Sequence, residues 1–335
     1  MGWIRKNISG ILLSFILAVA AAWLGNRYPL VGGPVFGILL GIIINNTVGK
    51  PAAASGGVAF VSKKILQWAI IVLGGSLSLG QVWETGLQCL SVMLSTLVAA
   101  FISAYGFGKL LGIPFRLTSL IGVGTAICGG SAIAAVPPVI EAEESEIAYS
   151  LSTIFFFNLL AALIFPPLGH LLGLSDAAFG LWTGTAVNDT SSVVAAGYAF
   201  SNPAGAYATI VKLTRTTMII PISFIFALVM AGKKKKFSGG GTGIHYSFKS
   251  TFPWFIPGFL AASLLNTLGL FGKSGASHFA SAGKFLIVMA LTAVGLNSDL
   301  RKLLKTGVKP LFLGLILWLV VSSVSIAVQF ITGQL

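Results

Sequence analysis

Long apolar runs decide what this chain can become. Ile8–Gly25 and Leu311–Ile331 are apolar on every side and carry no charge. A helix needs roughly 20 mainly apolar residues to cross a bilayer. Eleven segments qualify, near 8–25, 31–47, 59–79, 86–108, 118–140, 147–171, 177–199, 205–231, 253–270, 281–298 and 308–332. Barrel strands would instead alternate polar and apolar residues. The expected fold is therefore an all-α polytopic membrane protein with about eleven transmembrane segments in a single membrane domain.

Composition agrees. Charged residues make up 9%, AVILMFWYC residues 56%, and mean hydropathy is +0.94. A soluble domain carries about 25% charged residues, and disordered chains are apolar-poor. Met1–Lys6 before an apolar run resembles a signal peptide, but no clean A-x-A-like cleavage site follows. An uncleaved first helix is expected.

The net charge of +13 would suggest nucleic acid in a soluble protein. Here it reports topology. With loops assigned to alternate sides, sixteen of the 21 basic residues fall on one side. Arg27, Lys273 and Lys284 fall on the other, and Lys212 and Arg215 lie inside a span. The positive-inside rule puts the N-terminus in the cytoplasm and the C-terminus outside. The basic loop 232–252, with Lys233–Lys236, reads as a topology anchor rather than a nucleic-acid or lipid site.

Motifs for chemistry are absent. Cys89 and Cys128 lie in spans, and His170, His245 and His278 lack ligand spacing. No P-loop, GxSxG or H-E-x-x-H occurs. No enzyme, cofactor or metal centre is expected. The spacing of Gly33, Gly37 and Gly41 reads as close helix packing.

Self-comparison yields two repeats. GTAICGGSAIAAV at 124–136 matches GTAVNDTSSVVAA at 184–196 with an offset of 60. Asn46-Thr47-Val48-Gly49 matches Asn266-Thr267-Leu268-Gly269, and Gly74, Leu79, Thr85 and Gly86 match Gly295, Leu300, Thr306 and Gly307 one residue out of step. Seven crossings separate the second pair, so its copies are inverted, a common transporter construction. The first pair is parallel if both segments cross the membrane and inverted if both re-enter. Interrupted crossing helices are the expectation. The loop Glu141, Glu143, Glu144, Glu146 discriminates: it faces outward if the segments cross, and the cytoplasm if they re-enter.

Cys128-Gly129-Gly130-Ser131 and Asn188-Asp189-Thr190-Ser191-Ser192 are poor mid-membrane helix. Broken helices at that depth must line protein or a wet cavity. Their free N–H groups and positive dipole ends suit an anion. These residues, Asp189 apart, are the candidate substrate ligands, together with Lys212 and Arg215, which share a helical face. Arginine's fork matches an oxyanion. Asp189 is the acidic residue deepest in a span. An intramembrane carboxylate is a functional candidate, for a proton, for Na⁺ or for a buried base. Asn188 and Asn297 could join it in holding a coupling ion. Asn297 and Asp299 also read as a helix-end cap. Asn158 is a candidate for lining the cavity. Pro137-Pro138, Pro166-Pro167 and Pro221 mark kinks or helix ends.

GTAICGGSAIAAVPPVI, GTAVNDTSSVVAAGYAFS and KLTRTTMIIP together resemble the bacterial inner-membrane family named for a proposed role in sulfate export. That family is grouped with the cation:proton antiporter and bile-acid symporter superfamily. The resemblance implies two discontinuous helices meeting at mid-membrane and moving as an elevator against a scaffold. It implies an extra helix at 1–30, repeats at 31–171 and 177–332, and a homodimer as the common assembly. The self-matches do not fall neatly into those units.

The expected function is secondary transport of a small anion: sulfate, sulfite, or an organic sulfonate or carboxylate. H⁺ or Na⁺ would drive it through Asp189. Two alternatives remain at this point. One is a cation:proton antiporter using the same carboxylate. The other is a membrane sensor or enzyme subunit without flux.

Overall fold

Glycine-lined contacts and two broken hairpins organise the chain. The computed structural model describes residues 2–28, 32–218, 222, 254–299 and 307–335. The basic loop 232–252, Pro221, His245, Arg301, Lys302 and Lys305 lie outside the described residues.

Among the described residues every regular element is a helix. In order these are α1 (Gly2–Arg27), α2 (Gly32–Thr47), α3 (Ala52–Gly74), α4 (Leu79–Gln88) and α5 (Leu90–Leu110). Next come α6 (Phe115–Ala126), α7 (Gly130–Ala135), α8 (Pro137–Ile140) and α9 (Glu144–Leu171). Then follow α10 (Asp176–Ala186), α11 (Thr190–Phe200), α12 (Asn202–Thr217), α13 (Phe255–Thr267), α14 (Gly272–Asn297) and α15 (Val308–Thr332). Six of them, α1, α3, α5, α9, α14 and α15, are long and apolar enough to span a bilayer, and α2 and α13 are shorter apolar helices. Large apolar side chains such as Ile102, Leu110, Phe330 and Ile331 stand exposed. Water would penalise such a surface; a bilayer would not. The chain is a multi-pass membrane protein.

The first three helices and α14 form one body, joined where glycines let backbones touch. An added Cβ at Gly41 would lie 2.4 Å from Thr292 O, and one at Gly295 would lie 2.3 Å from Ile38 O. Gly10 and Gly57 bring α1 onto α3 in the same way. The expected packing role of Gly33, Gly37 and Gly41 is what α2 uses against α14. Gly41→Val is therefore expected to cost about 1–3 kcal/mol by overpacking. Thermal unfolding in detergent would register that loss, and an unchanged midpoint would remove the argument.

The NTxG strings share a helix stop. Gly49 and Gly269 follow the ends of α2 and α13 with φ of 80° and 78°, the left-handed geometry that glycine supplies. The two stops lie at opposite ends of α3. Thr47 precedes its first turn, whereas Thr267 Oγ1 accepts from Leu79 N, and Ser263 Oγ donates to Gly74 O, beyond its last turn.

The segments read as interrupted crossings are hairpins. Ring centroids of Phe179, at the start of α10, and Phe200, at the end of α11, stack 4.0 Å apart. A continuous span would hold those residues roughly 31 Å apart at 1.5 Å rise. Ser201 Oγ also donates to Asp176 Oδ1 at 2.5 Å, so the hairpin begins and ends at one face. The other segment behaves alike from the opposite end. An added Cβ at Gly112, just before α6, would lie 4.0 Å from Lys309 Nζ at the start of α15. From that start α15 meets α9 in the same order, Gly314 on Thr153 and Phe157, then Trp318 on Phe157 and Phe165. So α6, α9 and α15 start at one end, and after the break Gly130 approaches Leu151 on the way back to it. The acidic loop Glu141–Glu146 therefore shares an end with Lys109 and Arg116. This corrects the crossing expectation for 118–140 and 177–199 and removes two crossings from the expected count. Apolarity cannot separate a span from a hairpin of equal length, so sequence alone misled here. Pro137 opens α8, as proline at a first turn should, while Pro166-Pro167 sit inside α9.

Candidate functional site

Two inbound limbs, α6 and α10, aim their C-termini at one another from opposite ends of the molecule. Each stops on the recurring Gly-Thr-Ala, at 124–126 and 184–186. Unsatisfied carbonyls and the negative dipole ends of both helices therefore converge. α12 carries Lys212 and Arg215 into that point, and both side chains are 0% exposed. Arg215 Nε donates to Ala126 O at 2.7 Å. Its two terminal nitrogens donate to Thr125 O and Thr185 O. Lys212 Nζ donates to Ile127 O at 2.8 Å and to Val187 O at 3.2 Å. Each cation thus bridges both limbs. Expected as substrate ligands, they hold helix ends, and among the described residues no ion pair joins either to Asp189.

The breaks follow from local chemistry. Ile127 departs from helical geometry, and Gly129 adopts φ 65°, ψ −124°, which side chains disfavour. In the second hairpin Val187 and Asp189 are extended. Asp189 then caps α11: its Oδ2 accepts from Ser191 N at 3.0 Å, from Ser192 N at 3.4 Å and from Ser191 Oγ. Ser191 is thus part of the cap rather than a free ligand. The two breaks touch, since an added Cβ on Gly129 would lie 3.5 Å from Asp189 Cα.

Asn158 on α9 secures the second break. Its Oδ1 accepts from Asn188 N at 2.9 Å and from Asp189 N at 3.1 Å. Asn158→Leu would strand both donors and is expected to cost about 1–3 kcal/mol for each N–H left unpaired. Chemical unfolding of the variant measures this; a cost below that of a surface substitution would refute the role.

Among the described residues, several buried polar atoms around the breaks have no protein partner: both side-chain atoms of Asn188, Asn158 Nδ2, Thr153 Oγ1 and Thr183 Oγ1. Such groups are rare in native proteins, and each needs a reason. Exposure divides the site. Ser131 is exposed, and Gly130, Asp189 and Thr190 are half-buried, while Cys128, Asn188, Ser191, Ser192, Lys212 and Arg215 are buried. The outbound helix starts are the accessible part of the crossing, and the inbound ends are sealed.

Asn297 lies elsewhere, at the end of α14. It accepts from Lys50 Nζ at 2.5 Å and donates to Ser62 Oγ at 3.1 Å. Asn45 and Asn46 donate to Ser298 O beside it. The helix-end reading accounts for these contacts. No group of three metal-ligating residues occurs among the described residues. Sequence reasoning missed one feature. Thr185 Oγ1 lies 2.7 Å from Ser325 Oγ, which accepts from Gln329 Nε2. Ser322, Ser325 and Gln329 recur at helical spacing in a largely apolar span, and that was a readable signal.

The comparisons with known proteins agree with this architecture at the level of class. The family model described as conserved hypothetical protein 698 matches residues 9–314. A UPF0324 membrane protein of Clostridium tetani is 44% identical over 345 residues, covering 100% of both chains. Another from Streptococcus pyogenes serotype M18 is 45% identical, covering 98% of each chain. A third, from Fusobacterium nucleatum, is 43% identical, over 98% of this chain and 99% of its own. With a full-length match to such relatives and a family model spanning nearly all the helices, the chain belongs to the UPF0324 membrane protein family.

Proposed function

We propose that the chain is a secondary active transporter of a small anion, of the elevator type. One observation carries the reading: two broken hairpins enter from opposite ends, and their breaks meet between helix ends. Discontinuous helices of this kind build midplane substrate sites in secondary transporters. Hairpins entering from opposite ends make the Gly-Thr-Ala repeat an inverted pair, which supports the likeness to the sulfate-export family and its superfamily.

Charge supports an anion. With both protonated, Lys212 and Arg215 outnumber the one carboxylate at the crossing, Asp189. The two inbound helix ends contribute about half a negative charge each, and the two outbound starts about half a positive charge each, so these offset one another. The excess is positive, which disfavours a cation at the same place. In this proposal Lys212 and Arg215 supply field and rigidity. The outbound starts at Gly130, Ser131 and Thr190 supply N–H groups, Asn188 adds its amide, and Asp189 carries the coupling charge. The N-terminus would be cytoplasmic and the C-terminus external, as the basic loops indicate.

Proteoliposomes loaded with labelled sulfate, sulfite, methanesulfonate or acetate test this directly. Flux of at least one anion driven by a proton or Na⁺ gradient is expected. Flux of Na⁺ against H⁺ with no anion movement would replace this reading with the antiporter, and no flux of any of these ions would refute transport of them.

A further inference from the structure

Two cavities of about 410 and 280 Å³ open between the end of the second hairpin and the body formed by α1, α2, α3 and α14. They lie at the end where Asp176 meets Ser201, opposite the Lys109–Arg116 end. Tyr198, Asn202 and Lys284 line both cavities and form the partition between them. Tyr198 lies eight residues beyond Thr190, about 12 Å along α11 from the crossing, so this is a separate place.

Lys284 has no counter-charge. Neither cavity is lined by an acidic residue. All eight acidic residues of the chain lie among the described residues, and none of them pairs with Lys284. Lys284 is half-buried and borders both cavities with no anionic side chain beside it. Beside it, the Tyr198 hydroxyl and the Asn202 amide also have no hydrogen-bond partner among the described residues, so three donors border one space. The wall of the larger cavity mixes Asn26 and Ser201 with an apolar part made by Phe200, Phe285, Val288 and Pro34. Its volume falls in the range of small-molecule sites, about 300–1,000 Å³, and exceeds what a bare oxyanion fills. A few convergent polar groups on an apolar wall is the usual build of such sites.

We propose that this outer vestibule is a binding site for a small organic anion. The acid group, a sulfonate or carboxylate, sits among Lys284, Tyr198 and Asn202. The carbon tail covers Phe285 and Val288. The site does not depend on the transport reading: binding here is a property of the vestibule, whether or not the chain moves its ligand.

Calorimetry on the purified full chain in phosphatidylcholine nanodiscs, with benzenesulfonate and inorganic sulfate as probes, tests this. Benzenesulfonate is expected to bind more tightly than sulfate. Lys284→Gln is expected to weaken its binding by about tenfold or more, the loss of one charge-assisted hydrogen bond, whereas Lys284→Arg retains it. Phe285→Ser should weaken benzenesulfonate and leave sulfate unchanged. Equal benzenesulfonate affinity in Lys284→Gln would overturn the site. Equal affinity for both probes would overturn the organic tail. Displacement of bound benzenesulfonate by a small share of phosphatidylglycerol in the nanodisc would assign the vestibule to lipid headgroups and overturn the soluble ligand. Binding that meets these expectations in a protein showing no anion flux in proteoliposomes would uphold the vestibule and refute the transporter.

Discussion

Arg215→Met is expected to be the most damaging single substitution in the molecule. Methionine keeps the bulk of the aliphatic stem but returns three carbonyls, Thr125 O, Ala126 O and Thr185 O, to a buried place without a donor. Each stranded carbonyl costs on the order of 1–3 kcal/mol, so a loss of roughly 3–5 kcal/mol of stability is expected, at the upper end for point substitutions. Two negative helix ends would also face one another with one cation fewer. Arg215→Lys separates charge from geometry. It keeps the positive charge, but an ammonium cannot fan planar donors across two helices as the guanidinium does, so an intermediate loss is expected. Lys212→Met strands two carbonyls and should fall below Arg215→Met. Thr216→Val is the control. Its hydroxyl bonds the Lys212 carbonyl within the same helix, and about 1 kcal/mol or less is expected. Thermal unfolding in detergent ranks the four. An Arg215→Met midpoint as high as that of Thr216→Val would show that the crossing does not need its staple.

The same residues show what the sequence disclosed and what it hid. Apolar length revealed helices and membrane class, and the recurrence of Gly-Thr-Ala revealed two related breaks. The capping of α11 by Asp189 is local chemistry: a side chain bonding N–H groups two and three residues ahead needs no tertiary knowledge. Lys212 and Arg215 were legible as a pair but not in role. Side chains with donors and no acceptor suit an external anion and a row of carbonyls equally well, and only the fold says which lies within reach. The hairpins were hidden because a chain that enters and returns carries the same apolar composition as one that crosses. The vestibule was hidden for a plainer reason: Lys284 lies far along the chain from Tyr198 and Asn202, and nothing in either segment points to the other.

Asp189→Asn is expected to uncouple the proposed transport while sparing the fold, because the proposed coupling and the capping of α11 are separable duties of this residue. Asparagine is as good an N-cap as aspartate, so Ser191 N and Ser192 N keep their acceptor and α11 keeps its start. What disappears is the charge. With Asp189 ionised the crossing carries one excess positive charge, and with the carboxyl neutral it carries two. A change of one unit beside a bound anion is how binding of substrate and proton would be linked. In Asp189→Asn the neutral state is permanent. Anion exchange at equal pH on both sides should persist, while the response to an imposed proton gradient should fall by about tenfold or more, as expected when a coupling of 1.4 kcal/mol or above is removed. Asp189→Ala loses charge and cap together and should also lose about 1 kcal/mol of stability. The comparison of the two variants assigns each effect to its cause. Gradient-driven anion accumulation equal to wild type in Asp189→Asn would remove the carboxylate from the coupling and leave it a cap alone.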